Sequence, residues 1–399
     1  MSLFESLQAA APDAILGLTA EFKKDSRAEK IDLGVGVFRT EAGDTPILDT
    51  VKKAERILLD TQTSKAYVGT AGAAGFNTAM QRLAFGEDAP HDRIATIQTP
   101  GGSGSLRVAA GMIMRSAPDV SVWVSEPTWA NHVPLLGGAG VSLKSYPYYD
   151  TTRHRINMDE MLTALHAAPS GDIVLLHGCC HNPSGLDPSE DEWRAIGDVI
   201  VERELVPFID MAYQGFASGI DSDAFGVRHL AERAPELIVS TSCSKNFGLY
   251  RDRVGAVSLL AKDVATRDVV DSQVNNLVRT LYSMPPDHGA AVVEIILGSD
   301  ELRAAWIDEL AAMRERLQAM RSLLSDALIE KAPDHDFSHL KRASGMFCFL
   351  GITAEQVAAL KRDFGVYMVA SSRINLAGIT PANIVYLATA IAATIADDQ

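Results

Sequence analysis

A lysine at the end of a short apolar run is the first residue that could do chemistry. Residues 237–239 are apolar, the chain then turns polar, and Lys245 follows. This pattern indicates a buried strand that carries an amine into a polar pocket. Burial removes water from an ammonium group and favours the neutral amine, which attacks carbonyl groups. Because most lysines are solvated surface groups, Lys245 alone is weak evidence.

Two apolar runs upstream end on polar side chains of complementary chemistry. One run stops at Asp210, with Tyr213 close behind it, and the other leads through a His-Gly-Cys-Cys-His segment to Asn182. Neighbouring parallel strands bring their carboxyl ends to the same edge of an α/β sheet, where ligands bind. We therefore expect the carboxylate, the phenol and the amide to converge with Lys245 on one small molecule.

Pyridoxal phosphate is a small molecule that needs all four of these groups. Its aldehyde condenses with a lysine amine, and its pyridine nitrogen needs a carboxylate so that the protonated ring can act as an electron sink. Its phenolic oxygen accepts hydrogen bonds from a tyrosine and an amide, and its phosphate needs a cradle of donors. The residue types therefore predict pyridoxal phosphate as the cofactor.

A glycine-rich turn offers the phosphate cradle, where an apolar strand runs into a helix start around Gly102 and Ser103. Glycines let backbone N–H groups approach an anion, and the helix amino end adds a favourable partial charge. The turn is neither a dinucleotide fingerprint, since Arg107 replaces the third glycine, nor a P-loop. An ordinary tight turn is an equal alternative for the loop alone. Arg253 could bind the same phosphate as a bidentate donor, with Ser242 beside it.

The segment from Lys245 to Arg253 resembles the lysine segment of the aspartate and aromatic amino-acid aminotransferases, which are class I, fold-type I enzymes that use pyridoxal phosphate. The likeness extends from about residue 11 to residue 390 and keeps the family's order. The other segments that carry it surround Trp129, Asn182, Asp210 and Arg373. The resemblance implies a transaminase that moves an amino group between an L-amino acid and a 2-oxo acid by a ping-pong mechanism.

The resemblance also implies a role for each candidate residue. Lys245 would bind the cofactor and, once freed by substrate, shuttle a proton between the substrate Cα and the cofactor. Asp210 would pair with the pyridinium nitrogen, with His132 as its own partner. The remaining implied cofactor contacts are Asn182 and Tyr213 on the phenolic oxygen, Trp129 stacked on the ring, and Gly102, Ser103, Ser242, Arg253 and a second subunit's Tyr67 on the phosphate.

Substrate recognition is expected to depend on two arginines. Arg373 lies in an apolar stretch, and a buried arginine needs a carboxylate partner. A structural salt bridge is one alternative, whereas the resemblance implies the substrate α-carboxylate, with Asn182, Trp129 and the Gly36 backbone assisting. The resemblance implies that Arg279 of the other subunit binds the distal carboxylate; by sequence alone, Arg279 would pass as a surface helix residue.

The preferred substrate follows less directly from the sequence. Met284, Arg39 and Ala66 depart from residues that are frequent in aspartate enzymes, whereas Val37 and Thr45 agree with them. A methionine near the distal arginine is apolar and adaptable. We therefore expect aspartate-type dicarboxylates with 2-oxoglutarate or oxaloacetate first, aromatic amino acids second, and glyoxylate as a third possible acceptor.

Other reactions and assemblies are open at this point. The same cofactor supports lyase chemistry such as β-elimination or decarboxylation, and a non-catalytic regulator could keep the fold. Such a regulator would usually carry a basic DNA-binding domain, which the sequence does not suggest. A homodimer with shared active sites is expected, because Tyr67, Arg279 and Ser283 would serve the neighbour's site.

The apolar periodicity predicts the elements that position these residues. Seven strand-like runs alternate with helical patterns, which predicts an α/β fold with a mostly parallel seven-stranded sheet covered by helices. A long helix is expected over residues 301–332 and a terminal helix over 384–396. The resemblance implies a large cofactor-binding domain of residues 46–312 and a smaller α/β domain built from residues 1–45 and 313–399. The predicted strands cover 94–98, 120–125, 141–146, 173–177, 206–210, 237–240 and 254–260.

Composition limits the partners and the location. The chain has 399 residues, 47% of them hydrophobic, and a formal net charge of −15, which argues against nucleic acid and anionic membranes. Four cysteines without a disulfide or zinc spacing, and no apparent signal peptide, favour the cytoplasm. We expect no metal, because the two thiols between His177 and His181 are adjacent rather than spaced for zinc.

Overall fold

The computed structural model describes residues 3–9 and 14–396, so residues 1–2, 10–13 and 397–399 of the predicted small domain lie outside the described residues. Strands and helices alternate through most of the described chain. The strands are β1 (Ile31–Asp32), β2 (Ile94–Pro100), β3 (Ser121–Glu126), β4 (Ser142–Pro147), β5 (Tyr149–Asp150), β6 (Arg155–Ile156), β7 (Ile173–His177), β8 (Val206–Met211), β9 (Leu237–Ser242), β10 (Val254–Leu260), β11 (Phe347–Phe349), β12 (Val366–Tyr367) and β13 (Arg373–Asn375).

Helices cover both faces of the central sheet and form much of the C-terminal part. The α-helices are α1 (Ala14–Lys24), α2 (Asp49–Thr61), α3 (Ala74–Phe85), α4 (Gly101–Ser116), α5 (His132–Gly137), α6 (Met158–His166), α7 (Glu190–Glu202), α8 (Phe225–Arg233), α9 (Val264–Leu281), α10 (His288–Leu297), α11 (Asp300–Lys331), α12 (Ala354–Phe364) and α13 (Ile384–Ala396). Short 3₁₀ turns occupy His91–Arg93, Ser222–Ala224, Ser338–Arg342 and Leu376–Gly378.

The central sheet has seven strands in the order β2-β10-β9-β8-β7-β3-β4. Six of them run in the same direction, and β10 is antiparallel to both of its neighbours, β2 and β9. The prediction of a mostly parallel seven-stranded sheet is therefore confirmed. Each predicted strand matches an observed strand to within two residues at either end.

The core lies on both faces of this sheet. Every residue of β7 is buried, as is every residue of β10, which is typical of strands covered by helices on both sides. Along β7, Ile173 and Leu175 pack into one hydrophobic cluster, whereas Val174 and Leu176 pack into the other. The side chains alternate between the faces with the two-residue period of a strand, so the sheet is held from both sides.

Segments from the two ends of the chain pack together beside the sheet. The strand β1 pairs in parallel with β12, and β11 pairs antiparallel with β13. The predicted long helix is confirmed as α11, whose buried face includes Trp306, Leu310 and Leu317 at helical spacing. This helix contacts α10 and α2 as well as α13, so it links the surroundings of the sheet to the C-terminal part. Within the described part of the chain, every helix is too short or too polar to cross a membrane.

Candidate active site

A cavity of about 270 Å³ opens at the carboxyl ends of the central strands, next to the amino end of α4. Its wall combines polar side chains with a few apolar ones. Eleven of the sequence-predicted residues line it: Gly36, Gly102, Ser103, Trp129, Asn182, Asp210, Tyr213, Ser242, Lys245, Arg253 and Arg373. The structure therefore brings together all the predicted site residues except Tyr67 and Arg279.

The sheet register explains why the polar strand ends meet. Asp210 pairs with His177 of β7 on one side and with Ser240 of β9 on the other. Since the three strands run parallel, their carboxyl ends lie at one edge of the sheet. The loop after β9 carries Lys245 over this edge, and the loop after β8 carries Tyr213 there. The strand positions thus set the spacing between the amine, the carboxylate and the phenol.

Asp210 is a buried carboxylate with a histidine partner. Its Oδ2 lies 3.0 Å from His132 Nε2, and His132 Nδ1 lies 2.8 Å from the Thr128 hydroxyl oxygen. Burial by itself would raise the pKa of Asp210, but the hydrogen bond and charge of His132, with smaller contributions from His177 and Lys245, hold that pKa below its ordinary value. Asp210 therefore stays an anion that can stabilise a protonated ring nitrogen.

Lys245 is positioned to work as a neutral amine. Burial lowers the pKa of Lys245 to about 8; the carboxylate of Asp210 opposes this shift, and the charge of Arg253 adds to it. Its Nζ lies 4.7 Å from the centre of the Tyr213 ring. Burial raises the pKa of Tyr213, so the phenol keeps its proton and remains a hydrogen-bond donor. An amine whose pKa of about 8 leaves a fraction neutral near neutral pH, and a protonated phenol, suit a base next to a hydrogen-bond donor.

The amino end of α4 brings together hydrogen-bond donors that suit an anion. The helix begins at Gly101, and its N-cap residue Pro100 makes no side-chain capping bond, so its first N–H groups remain available. A Cβ on Gly101 would lie 2.5 Å from Arg253 Nη2, and one on Gly102 would lie 3.0 Å from Ser242 Cβ. Glycine at both positions keeps the backbone open to a ligand. Helix N–H groups, a guanidinium and hydroxyls together fit a phosphate.

Arg373 forms the opposite wall of the cavity. Its Nη1 donates to Asn182 Oδ1 at 3.3 Å, its Nη2 donates to the Gly34 carbonyl at 2.8 Å, and its guanidinium lies 4.3 Å from the Phe347 ring centre. Its Nε is buried without a hydrogen-bond partner, and no ion pair among the described residues involves Arg373. Burial lowers the pKa of Arg373. The predicted alternative, a structural salt bridge, therefore has no acidic partner in the described chain, whereas a ligand carboxylate would fit.

The other two predicted residues lie on an outer patch, which we define as Tyr67, Val68, Arg279, Ser283 and Met284. The Tyr67 side chain is 91% exposed, and Arg279 is exposed as well. The Val68 amide lies 3.2 Å from the Met284 sulfur, and Arg279 donates to the Ser283 hydroxyl. The patch is therefore one local cluster, and none of its members lines the cavity of the same chain.

Among the cavity-wall residues that sequence reasoning missed, Tyr250 and Phe347 make contacts that organise the site. The Tyr250 hydroxyl accepts a hydrogen bond from the Phe38 amide at 2.9 Å, and this bond ties the segment that carries Gly36 to the loop after Lys245. Tyr250 belongs to the lysine segment, so its position was a usable signal. Phe347, which stacks on Arg373, lies in a short apolar run far along the chain, and its local sequence carries no such signal.

Comparison with known proteins places the chain in a family. Residues 28–391 match the family described as aminotransferase class I and II. The aspartate aminotransferase of Escherichia coli strain K12 is 47% identical over 396 residues, covering 98% of this chain and 100% of that protein. The aromatic-amino-acid aminotransferase of Pseudomonas aeruginosa is 44% identical over 400 residues, covering 100% of both.

A solved structure agrees with the cofactor that the residues predict. The aromatic-amino-acid aminotransferase from Burkholderia pseudomallei, covalently bound to pyridoxal phosphate, superposes with a TM-score of 0.97 at 40% identity, covering 99% of this chain and 100% of that one. The chain therefore belongs to the class I and II aminotransferases. Its fold is fold type I, its cofactor is pyridoxal phosphate, and its activity is transamination.

Proposed function

We propose that the protein exchanges an amino group between an aspartate-type dicarboxylic amino acid and a 2-oxo acid such as 2-oxoglutarate, oxaloacetate or glyoxylate. One observation carries this choice of substrate. Arg373 in the cavity and Arg279 on the outer patch are both arginines without an acidic partner among the described residues. Two guanidinium groups without acidic partners suit a substrate that has a carboxylate at each end.

The proposed roles follow the geometry of the cavity. When bound, pyridoxal phosphate supplies an aldehyde that takes up the amino group and a ring that delocalises negative charge. Asp210 would hold the ring nitrogen in its protonated form, and Tyr213 and Asn182 would donate to the phenolic oxygen. The neutral amine of Lys245 would take the proton from the substrate Cα and hold it for return.

The same cavity would bind both the cofactor and the amino-acid substrate. The cradle formed by Gly102, Ser103, Ser242 and Arg253 would bind the phosphate, and Trp129 would stack on the ring. Arg373 would bind the α-carboxylate, helped by the Asn182 side chain and the Gly36 backbone.

The proposal also divides the chain into two domains. Residues 46–312 form the large domain and residues 1–45 with 313–399 form the small one, supported by the β1–β12 and β11–β13 pairings.

A homodimer with shared sites is part of the proposal. Tyr67 and Arg279 have suitable chemistry for a phosphate and a carboxylate, yet both are exposed and neither lines the cavity of its own chain. A second copy that covers the outer patch would receive both side chains at its own site.

A cytoplasmic location also belongs to the proposal, supported by four cysteines that are all free and buried.

An aromatic amino-acid donor is the second candidate. The methionine of the outer patch, Met284, lies next to Arg279 and offers an apolar, adaptable surface that an aromatic ring could use. Relatives with aromatic-amino-acid activity are also nearly as similar to this chain as those with aspartate activity, at 44% and 47% identity. The two donors are distinguished by experiment.

An absorption spectrum of the purified holoprotein tests the donor. Aspartate added alone should convert the bound cofactor from its aldehyde form to its amine form, and phenylalanine should do so only at much higher concentration. The reverse order would transfer the preference to aromatic donors. Conversion by neither amino acid would overturn both substrate proposals. 2-Oxoglutarate, oxaloacetate and glyoxylate, added separately to the amine form, then rank the acceptors by the rate at which the first spectrum returns.

A further inference from the structure

We propose that Asp187 is a positioning residue for this reaction, which holds the Asn182 loop in place and couples it to the strand that supports Arg373. Asp187 is not among the residues that line the cavity. It lies on the outer side of the loop, in a separate surface cavity that includes Asn157 and Glu192. The inference rests on the proposed function, because it concerns the same carboxylate-binding half of the site.

The carboxylate of Asp187 fixes the two backbone amides that directly precede Asn182. The Cys180 amide donates to Oδ2 at 2.8 Å, and the His181 amide donates to Oδ1 at 2.8 Å. With one amide bound to each oxygen, the carboxylate sets the orientation of both peptide planes. The direction in which the chain enters Asn182 is therefore determined by a side chain five residues further on.

This loop needs such support because its backbone is unusual. Cys180 has a φ of +51°, a left-handed conformation that non-glycine residues adopt only at an energetic cost. Strained backbone persists where surrounding contacts over-determine it. The Cys180 amide is one of the two groups that Asp187 binds, so the carboxylate acts at the strained residue itself. Removing the carboxylate should let the loop relax and the Asn182 amide move.

Ser344 connects the Asp187 carboxylate to the C-terminal segment that carries Arg373. The Ser344 hydroxyl donates to Asp187 Oδ2, and the Ser344 amide donates to the Gly185 carbonyl at 2.7 Å. The contact is tight, since a Cβ on Gly185 would lie 2.2 Å from the Phe347 carbonyl oxygen. The C-terminal segment is thus joined to the Asn182 loop just before β11 begins.

Shortly after Ser344 the chain enters β11, the strand that packs against Arg373 and pairs with its strand β13. The strand β11 begins at Phe347, whose ring packs on the Arg373 guanidinium, and Phe349 pairs with Arg373 in the β11–β13 register. Arg373 in turn donates to Asn182 Oδ1. Asp187 therefore touches both chain segments that meet at the Arg373–Asn182 hydrogen bond, and it is placed to keep them in register.

A double-mutant cycle between Asp187→Asn and Asn182→Ala tests this role. Asp187→Asn keeps the shape of the side chain but turns one acceptor oxygen into a donor that faces a backbone N–H or the Ser344 hydroxyl. Misplacement of a reacting group by about 1 Å costs on the order of 10²-fold in rate, so kcat/KM should fall by about that factor. Added to Asn182→Ala, the same change should cost less than about threefold, because sites that act through each other are not additive.

A spectroscopic readout separates positioning from general damage. The pH midpoint of the visible absorption change of the bound cofactor should move in Asp187→Asn in the same direction as in Asn182→Ala. A purely structural role would lower the unfolding temperature and leave this midpoint where it is in the wild type. An unchanged midpoint, or losses that simply add in the double variant, would overturn the proposal.

Two further variants complete the design. Ser344→Ala keeps both amide bonds of Asp187 and removes only the link to β11, so it should fold even if Asp187→Asn does not. Loss of one hydrogen bond to a charged group predicts a decrease in kcat/KM of about 10-fold, and no decrease would remove the coupling from the proposal. Asp191→Asn, an exposed carboxylate on α7, is the matched control and should match the wild type. If wild-type protein converts neither aspartate nor phenylalanine, the proposed substrate class fails, whereas the midpoint comparison still tests Asp187.

Discussion

The cavity and the outer patch hold the same kinds of side chain in opposite surroundings. Lys245, Asp210 and Arg373 are enclosed by their own chain, and their pKa values are shifted by burial and neighbouring charges. Tyr67 and Arg279 are exposed. The cavity contains every cofactor contact that one chain is expected to supply, whereas none of the residues of the outer patch lines it.

This difference in exposure assigns the chemistry to the cavity and the substrate selectivity to the outer patch. Burial lowers the pKa of Lys245 and so favours the neutral amine, whereas His132, enclosed with Asp210, keeps that carboxylate an anion against the effect of burial. Water and salt screen the charge of a solvated arginine, so it binds an anion more strongly when a partner surface excludes water. We therefore expect substitutions in the cavity to abolish turnover and substitutions in the patch to change substrate choice.

The largest effect is expected at Lys245. Lys245→Ala removes the base that takes the Cα proton, and loss of a general base typically costs about 10²–10⁴-fold in rate. Stopped-flow absorbance with aspartate would measure the loss, and Lys262→Ala, an exposed lysine after β10, is the control. Near-normal turnover in Lys245→Ala would mean that another group removes the proton.

The next effect is expected at Asp210. Asp210→Asn keeps the shape of the side chain but removes the negative charge that faces His132 at 3.0 Å. Breaking a buried charge pair typically costs about 3–5 kcal/mol, which corresponds to roughly 10²–10⁴-fold in rate if that interaction stabilises the transition state. Steady-state kinetics would measure it. Asp172→Asn is a control at the opposite end of the sheet, where the carboxylate binds the Ser121 amide; it should reduce stability without this loss. Equal rates for wild type and Asp210→Asn would exclude the proposed role.

Burial of Lys245 also predicts a pH-dependent stability in the cofactor-free protein. The pKa of Lys245 is lowered from 10.5 to about 8 in the folded state, so the unfolded chain binds more protons between these two values. Stability from this group therefore rises as pH increases from about 8 to about 10.5, by up to about 3 kcal/mol. Lys245→Met should be more stable than wild type at pH 7, and the difference should vanish near pH 10.5. Denaturant unfolding at several pH values measures both, and a pH-independent difference would contradict the lowered pKa.

The smallest and most selective effect is expected in the outer patch. Arg279→Ala should lower kcat/KM for aspartate about 10-fold or more relative to phenylalanine, because a charge-assisted hydrogen bond contributes about 1.5–3 kcal/mol. Arg267→Ala, earlier on the same helix, should leave the ratio unchanged. Equal losses on both donors would make Arg279 a structural residue and remove the main support for a dicarboxylate substrate.

Mixed dimers sharpen the comparison between cavity and patch. If Arg279 serves the partner's site, a dimer of one Lys245→Ala chain and one Arg279→Ala chain contains one site with both residues intact. Mixing the two inactive or impaired proteins under conditions that exchange subunits should therefore restore activity toward aspartate. Activity that stays at the average of the two separate proteins would show that each chain supplies both residues to its own site.

Much of the fold could be predicted because the signals are local. The strand β7 is an unbroken apolar run that ends on His177, and the helix α13 was predicted with its observed ends, Ile384 and Ala396. The polar residues after β8 and β9 could be joined into one site because parallel strands end at a common edge. The stacking of Phe347 on Arg373 could not be predicted, because it depends on the distant pairing of β11 with β13.

The chemistry of this protein could be inferred from residue types and their local spacing. The cofactor is indicated by the types of Lys245, Asp210, Tyr213 and the glycine-rich turn and by their positions at strand ends. Short-range periodicity in the sequence predicts where those strands end. Which of these residues are enclosed and which are exposed became known from the folded chain. It set the lowered pKa of Lys245, left Arg373 without an acid, placed Arg279 outside, and brought Asp187 against Ser344. Burial and long-range contact depend on how distant segments pack, and a sequence pattern records only the neighbours along the chain.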